Sequence, residues 1–443
     1  MIPYGYAGRI LRVDLSGQIF IDEELDNDLI KKYIGGAGFG ARYLCQENPG
    51  NVEWSSPQNR IIFANGPLSG TAAAGSGTMC VTSKGPMTEL AGSSQANGYW
   101  GAFLKACGYD GIILTGCSDR WSYLFIDEEG AALRDASHLI GKDTQETQEL
   151  LGRELNFKRK ASIYCIGPAG EKKVRFGVIM GDGSHTVSKN GLGTVLASKN
   201  IKAIVICSGK GKTRIWDGER FKKISKELHD KALTYANGYR HKWGTNGGFS
   251  GHLMAGALPV RNYTTNLFPE HEKLNGQYVR SRFEKIMRKT CFNCGINHNI
   301  VMKVAEGPYN GFVGEEPEYE AFAAFGPQIG NTDAGGVFVL TDLADRLGID
   351  INETGWIIGW LMECYEKGIL TKRDTDGIEM NWGNVESVKA ILNKISNREG
   401  IGDLLAEGVK RASERIGGEA VKIAVCTRKG STPRGHDHRG RWS

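Results

Sequence analysis

No stretch of this 443-residue chain approaches the ~18 consecutive apolar residues of a membrane span. The first residues, Met1-Ile2-Pro3-Tyr4-Gly5-Tyr6-Ala7-Gly8-Arg9, also lack the apolar centre of a secretory signal. No membrane partner is expected, and a cytoplasmic location is. Charge of one sign is equally scarce. Fifty-five basic residues face 50 acidic ones, a net +5, and the two signs are interspersed, so nothing demands a nucleic-acid partner. The short basic run Lys210, Lys212 and Arg214 reads as a solvated linker. Cysteine is too sparse for a secreted disulfide framework: ten are scattered along the chain. Eight of them lie alone in apolar or patterned segments, where a free thiol acts as a small buried hydrophobe. A Walker P-loop is missing, and Gly191-Leu192-Gly193 lacks the spacing of a dinucleotide fingerprint.

What the chain has in excess is glycine. Sixty-one of 443 residues are glycine, about twice the usual share. They cluster beside strand-like runs without a period, as a backbone does when it turns tightly or approaches a large ligand. Arg9 to Leu15 alternates with period two. Gly111–Thr115 and Trp121–Ile126 look like a strand pair joined by residues 116–120, and residues 202–207 read as a buried strand. A helix fits Asp143 to Leu155, and a short one follows Gly193. After the linker the period changes to 3.6. Phe221, Ile224, Leu228, Ala232 and Tyr235 share one face, and Trp356, Ile357, Trp360, Leu361, Cys364 and Tyr365 share another. Val388, Ile391, Leu392 and Ile395 mark a further helix, and Leu404, Leu405, Val409 and Ala412 one more. Each stripe is expected in the core. The class is therefore α+β: a β-rich domain over residues 1–210, an α-helical domain over 211–425, and an unpatterned segment, 426–443, that reads as the truncated start of a third.

The sharpest local motif is Cys291-Phe292-Asn293-Cys294-Gly295-Ile296-Asn297-His298. Two thiols three residues apart, with a third donor four residues on, suit one face of an iron–sulfur cluster or a zinc site. Spacing alone leaves cluster, zinc and a redox-inert pair all open. A second motif is Gly314-Glu315-Glu316-Pro317-Glu318-Tyr319-Glu320, followed by Ala321-Phe322-Ala323-Ala324-Phe325. Glu320 is the last acid before the apolar run, where partial desolvation would suit it to proton transfer. The third feature is a set of glycine turns, residues 66–71, 97–101 and 180–193, whose amides can cradle phosphates or a pterin edge.

Taken in order, these pieces resemble the aldehyde:ferredoxin oxidoreductase family. The resemblance is carried by Tyr33–Gly38, Ala64–Thr71, Leu104–Asp110, Arg134–Leu139, Ile166–Glu171, Ser198–Ile204, the cysteine pair, Glu318-Tyr319-Glu320, Asp345–Asp350 and Arg398–Gly408. It implies a β-rich first domain holding tungsten (or molybdenum) between two pterin dithiolenes, a nearby [4Fe–4S] cluster, and oxidation of aldehydes with electrons passed to ferredoxin. It implies Cys291 and Cys294 as cluster ligands with His298 in the third position, and Glu320 as the acid near the metal. Asp345, Gly348, Ile349 and Asp350 match a pterin-binding loop; Thr78, Gln95, Asn97, His185 and Thr186 match the contacts of the glycine turns. Departures accompany the match. His298 stands where the family has a cysteine, Thr78 and His185 where it has arginines, and Gln95 where it has asparagine. Neither Thr78 nor His185 replaces a bidentate guanidinium. The C-terminal domain is expected to be missing, and with it the fourth cluster cysteine and a second pterin loop. A separately encoded C-terminal domain and an oligomer are the expected partners. A non-catalytic scaffold or electron-transfer subunit is the competing reading.

Overall fold

The computed structural model describes residues 2–155 and 160–437. Its contacts divide the chain into two units, Met1–Ala232 with Thr290–Gly295 and Leu233–Lys289 with Ile296–Ser443. The fold is α+β, with sheets in the N-terminal part and helices after it.

The first unit is built on two six-stranded sheets. One comprises β1 (Arg9–Asp14), β2 (Ile19–Glu24), β3 (Ile61–Ala64), β4 (Met79–Lys84), β5 (Ala91–Ala96) and β6 (Gly111–Thr115), in the order β2-β1-β6-β3-β4-β5. The other comprises β7 (Ser122–Asp127), β8 (Gly130–Asp135), β9 (Ala161–Cys165), β10 (Ile179–Gly181), β11 (His185–Val187) and β12 (Ile201–Cys207), in the order β11-β10-β9-β12-β7-β8. The expected pairing of residues 111–115 with 121–126 is therefore wrong. The four residues Gly111–Leu114 of β6 are all buried, so β6 needs neighbours on both edges and takes β1 (parallel) and β3 (antiparallel). Strand β7 lies between β12 and β8. Leu11, Phe63, Trp100 and Ile112 pack with Leu124, Tyr164 and Ile204 in one shared core, which is how two sheets bury their inner faces. Asp143 caps the helix Thr144–Glu154 by accepting from Glu146 N at 2.8 Å, while Glu146 returns a bond from Asp143 N at 2.9 Å.

The second unit packs the helices Ala334–Leu347, Ile351–Glu366 and Val385–Asn397, and carries a small sheet of β13 (Glu284–Arg288), β14 (Ile300–Lys303) and β15 (Val313–Glu315). Trp356 and Trp360 are fully buried, and each indole N–H finds an acceptor: Tyr263 Oη at 3.0 Å and Ala420 O at 2.9 Å. Val388, Ile391, Leu392 and Ile395 are buried as their spacing predicts. Three expectations fail. Residues 404–412 form two helices, Ile401–Leu405 and Val409–Ile416, because Gly408 adopts φ 85° between them. In the helix Gly218–Thr234, Ile224 and Leu228 are 42% and 59% exposed; periodicity names a face, but only a partner buries it. Cys45 is exposed rather than core.

Candidate functional site

A concave cleft opens on the first unit where the turn after β3 meets the segment before β4. Its volume is about 400 Å³, and Gly35, Gly36, Gly66, Gly75, Thr78, Cys80 and Gln95 are among its walls. Every lining residue is uncharged. Glycine is required at Gly35, where φ is +155° and a Cβ would stand 2.5 Å from Asn65 O. Gly66 and Gly75 face open space, so their backbones border the cavity without obstruction.

Of the polar residues named from sequence, Thr78 and Gln95 line the cleft, and Asn97, His185 and Thr186 do not. Thr78 Oγ1 donates to Gly75 O at 3.1 Å and to Asn97 Oδ1 at 2.9 Å. Asn97 O accepts from Tyr164 Oη at 2.6 Å. Gln95 lies exposed on β5, opposite Cys80. His185 and Thr186 begin β11; Thr186 Oγ1 donates to Ser184 O at 3.2 Å, and His185 Nε2 lies 3.4 Å from Cys291 Sγ.

Asp182 was missed from sequence. It accepts from Tyr99 N at 2.7 Å and Ser162 Oγ at 2.9 Å, and it supports the Gly98 turn so closely that a Cβ there would stand 2.5 Å from its carboxylate. Burial pushes its pKa up to about 6, against the pull of those donors. Its position inside the glycine-rich turn 180–193 was the available signal.

The cysteine motif belongs to this same unit through residues 290–295. Phe292 N donates to Gly98 O at 3.0 Å, and Gly75 N donates to Asn293 O at 3.1 Å. Asn293 Nδ2 donates to Ala72 O and Ala73 O at 2.7 and 3.0 Å. The loop is thus laced to the turns that border the cleft. His298 lies in the second unit, where Glu318 Oε1 is 3.2 Å from its Nε2 and Arg280 donates to its carbonyl at 2.6 Å. Among the described residues, no group of three or more His, Cys, Asp or Glu is arranged to hold a metal ion. Of the four donors that a [4Fe–4S] cluster ordinarily takes, this loop supplies two among the described residues, with His185 Nε2 3.4 Å from Cys291 Sγ.

In the second unit, Glu320 is half-buried in the first turn of the helix Tyr319–Phe325. The deeply buried acid of that run is instead Glu316, whose carboxylate bonds Arg280 Nε at 2.8 and 3.0 Å; the side chains are 5% and 0% exposed. Burial raises the Glu316 pKa and Arg280 pulls it back. Asp345 is buried within the helix Ala334–Leu347, where desolvation holds its pKa well above the usual carboxylate range. Gly348 ends that helix at φ 74°, Ile349 is buried, and Asp350 caps the next helix through Asn352 N and Glu353 N at 2.8 and 3.1 Å.

Comparison with known proteins places this geometry. Family models match almost end to end: "Aldehyde ferredoxin oxidoreductase, N-terminal domain" over residues 10–208, and "Aldehyde ferredoxin oxidoreductase, domains 2 & 3" over 219–443. The chain belongs to the aldehyde ferredoxin oxidoreductase family. It is 35% identical over 430 residues to the tungsten-containing aldehyde ferredoxin oxidoreductase of Pyrococcus abyssi, covering 95% of this chain and 69% of that protein. It is 33% identical over 442 residues to an aliphatic sulfonate oxidoreductase, WOR-like subunit, of Pyrococcus furiosus, covering 95% of this chain and 70% of that one. Among solved structures it resembles the active-site complex BamBC of benzoyl coenzyme A reductase bound to 1,5-dienoyl-CoA, with a TM-score of 0.84 and 27% identity. That match covers 98% of this chain and 67% of the other. The aldehyde ferredoxin oxidoreductase model for domains 2 and 3 runs to residue 443, so the segment 426–443, expected as the start of a missing domain, lies inside the family match. Among the described residues, no helix is long and apolar enough to cross a membrane.

Proposed function

We propose that the chain is an oxidoreductase of the aldehyde-oxidising kind whose first unit holds a tungsten–pterin cofactor. The observation that carries this reading is the uncharged, glycine-walled cleft in a chain of this family. Its shape and its hydrogen-bonding groups suit the flat, amide-bearing edge of a pterin. The backbones of Gly35, Gly36, Gly66 and Gly75 let a ring approach closely, and Thr78, Gln95, Asn97, His185 and Thr186 offer polar groups around it. When bound, the group supplies a metal that takes up the two electrons released as an aldehyde and water become an acid and two protons.

The rest falls to the protein. Uncharged walls exclude ionic competitors and favour a neutral carbonyl compound over a charged one. Glu320 offers a carboxylate oxygen at the head of a buried helix, and it is the proposed acceptor of a released proton. Asp345, Gly348, Ile349 and Asp350 are proposed to act on the cofactor indirectly, by fixing the junction between two helices. A one-electron carrier of ferredoxin type is the proposed partner, taking the electrons one at a time. The [4Fe–4S] cluster enters no step of this reading, because its donors are incomplete among the described residues.

The test is metal and pterin analysis of protein purified without oxygen from cells supplied with both tungstate and molybdate. Pterin fluorescence with tungsten in excess of molybdenum is expected. Molybdenum in excess would move the metal assignment alone. Protein devoid of pterin under those conditions would favour the scaffold reading, to which the absence of any cation on the cleft wall also points.

A further inference from the structure

The helix Gly218–Thr234 and the segment leading into it leave an apolar patch open on the first unit. Trp216 is 80% exposed and Leu68 53%, and with Tyr4 and Ile224 they border a shallow hollow of about 310 Å³. Its aromatic edge is held in place. Tyr4 meets Trp216 edge-on at 5.2 Å, Arg214 lies over the Tyr4 ring at 4.9 Å, and Gly5 N donates to Arg214 O at 2.8 Å. Exposed Trp, Tyr and Arg around an apolar hollow are the side chains in which protein interfaces concentrate their binding energy.

The rim of the patch carries mostly one sign of charge. Residues 210–223 hold six basic side chains against Asp217 and Glu219, all of them exposed, and Arg214 and Arg220 border the hollow itself. Complementarity therefore calls for an acidic partner. Position says which acidic partner. Pro67 and Leu68 border both this hollow and the glycine-walled cleft, so a protein seated on the patch stands one turn of backbone from the cofactor site proposed above. The same helix lays His229 on the cysteine loop, where a Cβ added to Gly295 would run into its imidazole. A partner that exchanges electrons needs that proximity, whereas a second copy or a lipid surface gains nothing from it. Resting on the oxidoreductase reading, we propose that this patch docks the acidic one-electron carrier. An apolar side chain of the carrier enters the hollow, and its carboxylates face Arg214 and Arg220.

The experiment measures binding of a purified acidic [4Fe–4S] ferredoxin to the full chain by calorimetry at two ionic strengths, with cofactor content assayed in the same preparation. W216S is expected to weaken binding about tenfold or more. R220E is expected to weaken it about threefold and to flatten its dependence on salt. Because R220E alters only an exposed side chain, it carries the test if W216S melts early. I21S, at an exposed position on β2 outside the patch, should bind as the unaltered chain does. Unchanged affinity in both W216S and R220E overturns the surface and leaves the carrier standing. Failure of the unaltered chain to bind overturns surface and carrier together, and the pterin and tungsten content then decides the oxidoreductase reading separately. A dimer in sedimentation that W216S dissociates would overturn the proposal in favour of a second copy. Binding to phosphatidylglycerol vesicles that W216S abolishes would overturn it in favour of a membrane surface.

Discussion

Two stretches of this chain carry the same expectation, contact with a pterin, and fold differently. In the first unit, Thr78 and Gln95 line an uncharged cleft rich in glycine and alanine, and Thr78 Oγ1 donates to Asn97 Oδ1. In the second, Asp345–Asp350 is absorbed by the ends of two helices: a left-handed glycine closes one and an aspartate caps the other. An Asp-x-x-Gly-x-Asp string is what a cofactor loop wants and also what a helix–helix junction wants. Electrostatics sets the cleft apart. Arg280 and Glu316 pair their buried charges in the second unit, as Lys105 with Asp110 and Lys202 with Glu171 do in the first, whereas the cleft of the first is lined without charge.

Four measurements would break or sharpen that contrast. The largest effect is expected from R280M, which leaves Glu316 buried without its cation and should cost about 3–5 kcal/mol in a denaturant melt. A loss below about 1 kcal/mol would mean that the pair is not structural. Next comes Asp182, whose folded pKa of about 6 exceeds its ordinary 3.8. The native state then holds the proton more tightly than the unfolded chain. Its contribution to stability is greatest below about pH 4, declines as pH rises through 4 to 6, and is level above. D182N should flatten that slope by roughly 3 kcal/mol in melts across the window, and parallel profiles would refute the assignment.

Third, D350A should lower the stability of cofactor-free protein by about 1–2 kcal/mol through loss of the cap. If the melt is unchanged and only cofactor content falls, Asp350 is a ligand and the contrast collapses. Last, G66L should shift the melt by no more than about 0.5 kcal/mol, since a side chain there meets open space. Pterin retention, read by fluorescence, should nonetheless fall about tenfold. Equal losses in both readouts would show that the cleft wall is structural.

How much of this was legible in the sequence follows from the range over which each signal acts. Glycine turns, the cysteine pair and the buried helices around Trp356 and Val388 declare themselves within a dozen residues, and they were found. The two-sheet arrangement was not, because β6 and β7 are neighbours in sequence yet each is paired by strands far away. For Asp182 the turn 180–193 marked only the neighbourhood: its role exists once Tyr99 and Ser162 surround it. Among the acids after Gly314, position relative to the apolar run pointed to Glu320. The buried one is Glu316, selected by an arginine 36 residues upstream.

The return of residues 290–295 to the first unit has a consequence for the order in which the protein is made. The bond from Asn293 to Ala72 joins positions 221 apart, so it closes a very large ring, and the entropic cost of that closure precedes any gain from it. During synthesis the turn at 72–75 emerges early and waits until some two hundred further residues have left the ribosome before its fastening arrives. A nascent first unit therefore has an incompletely secured cleft. For the pterin proposed above, the interval before Asn293 docks would be the window of entry. Delaying translation between residues 232 and 290 would lengthen that window, and accelerating it would shorten it.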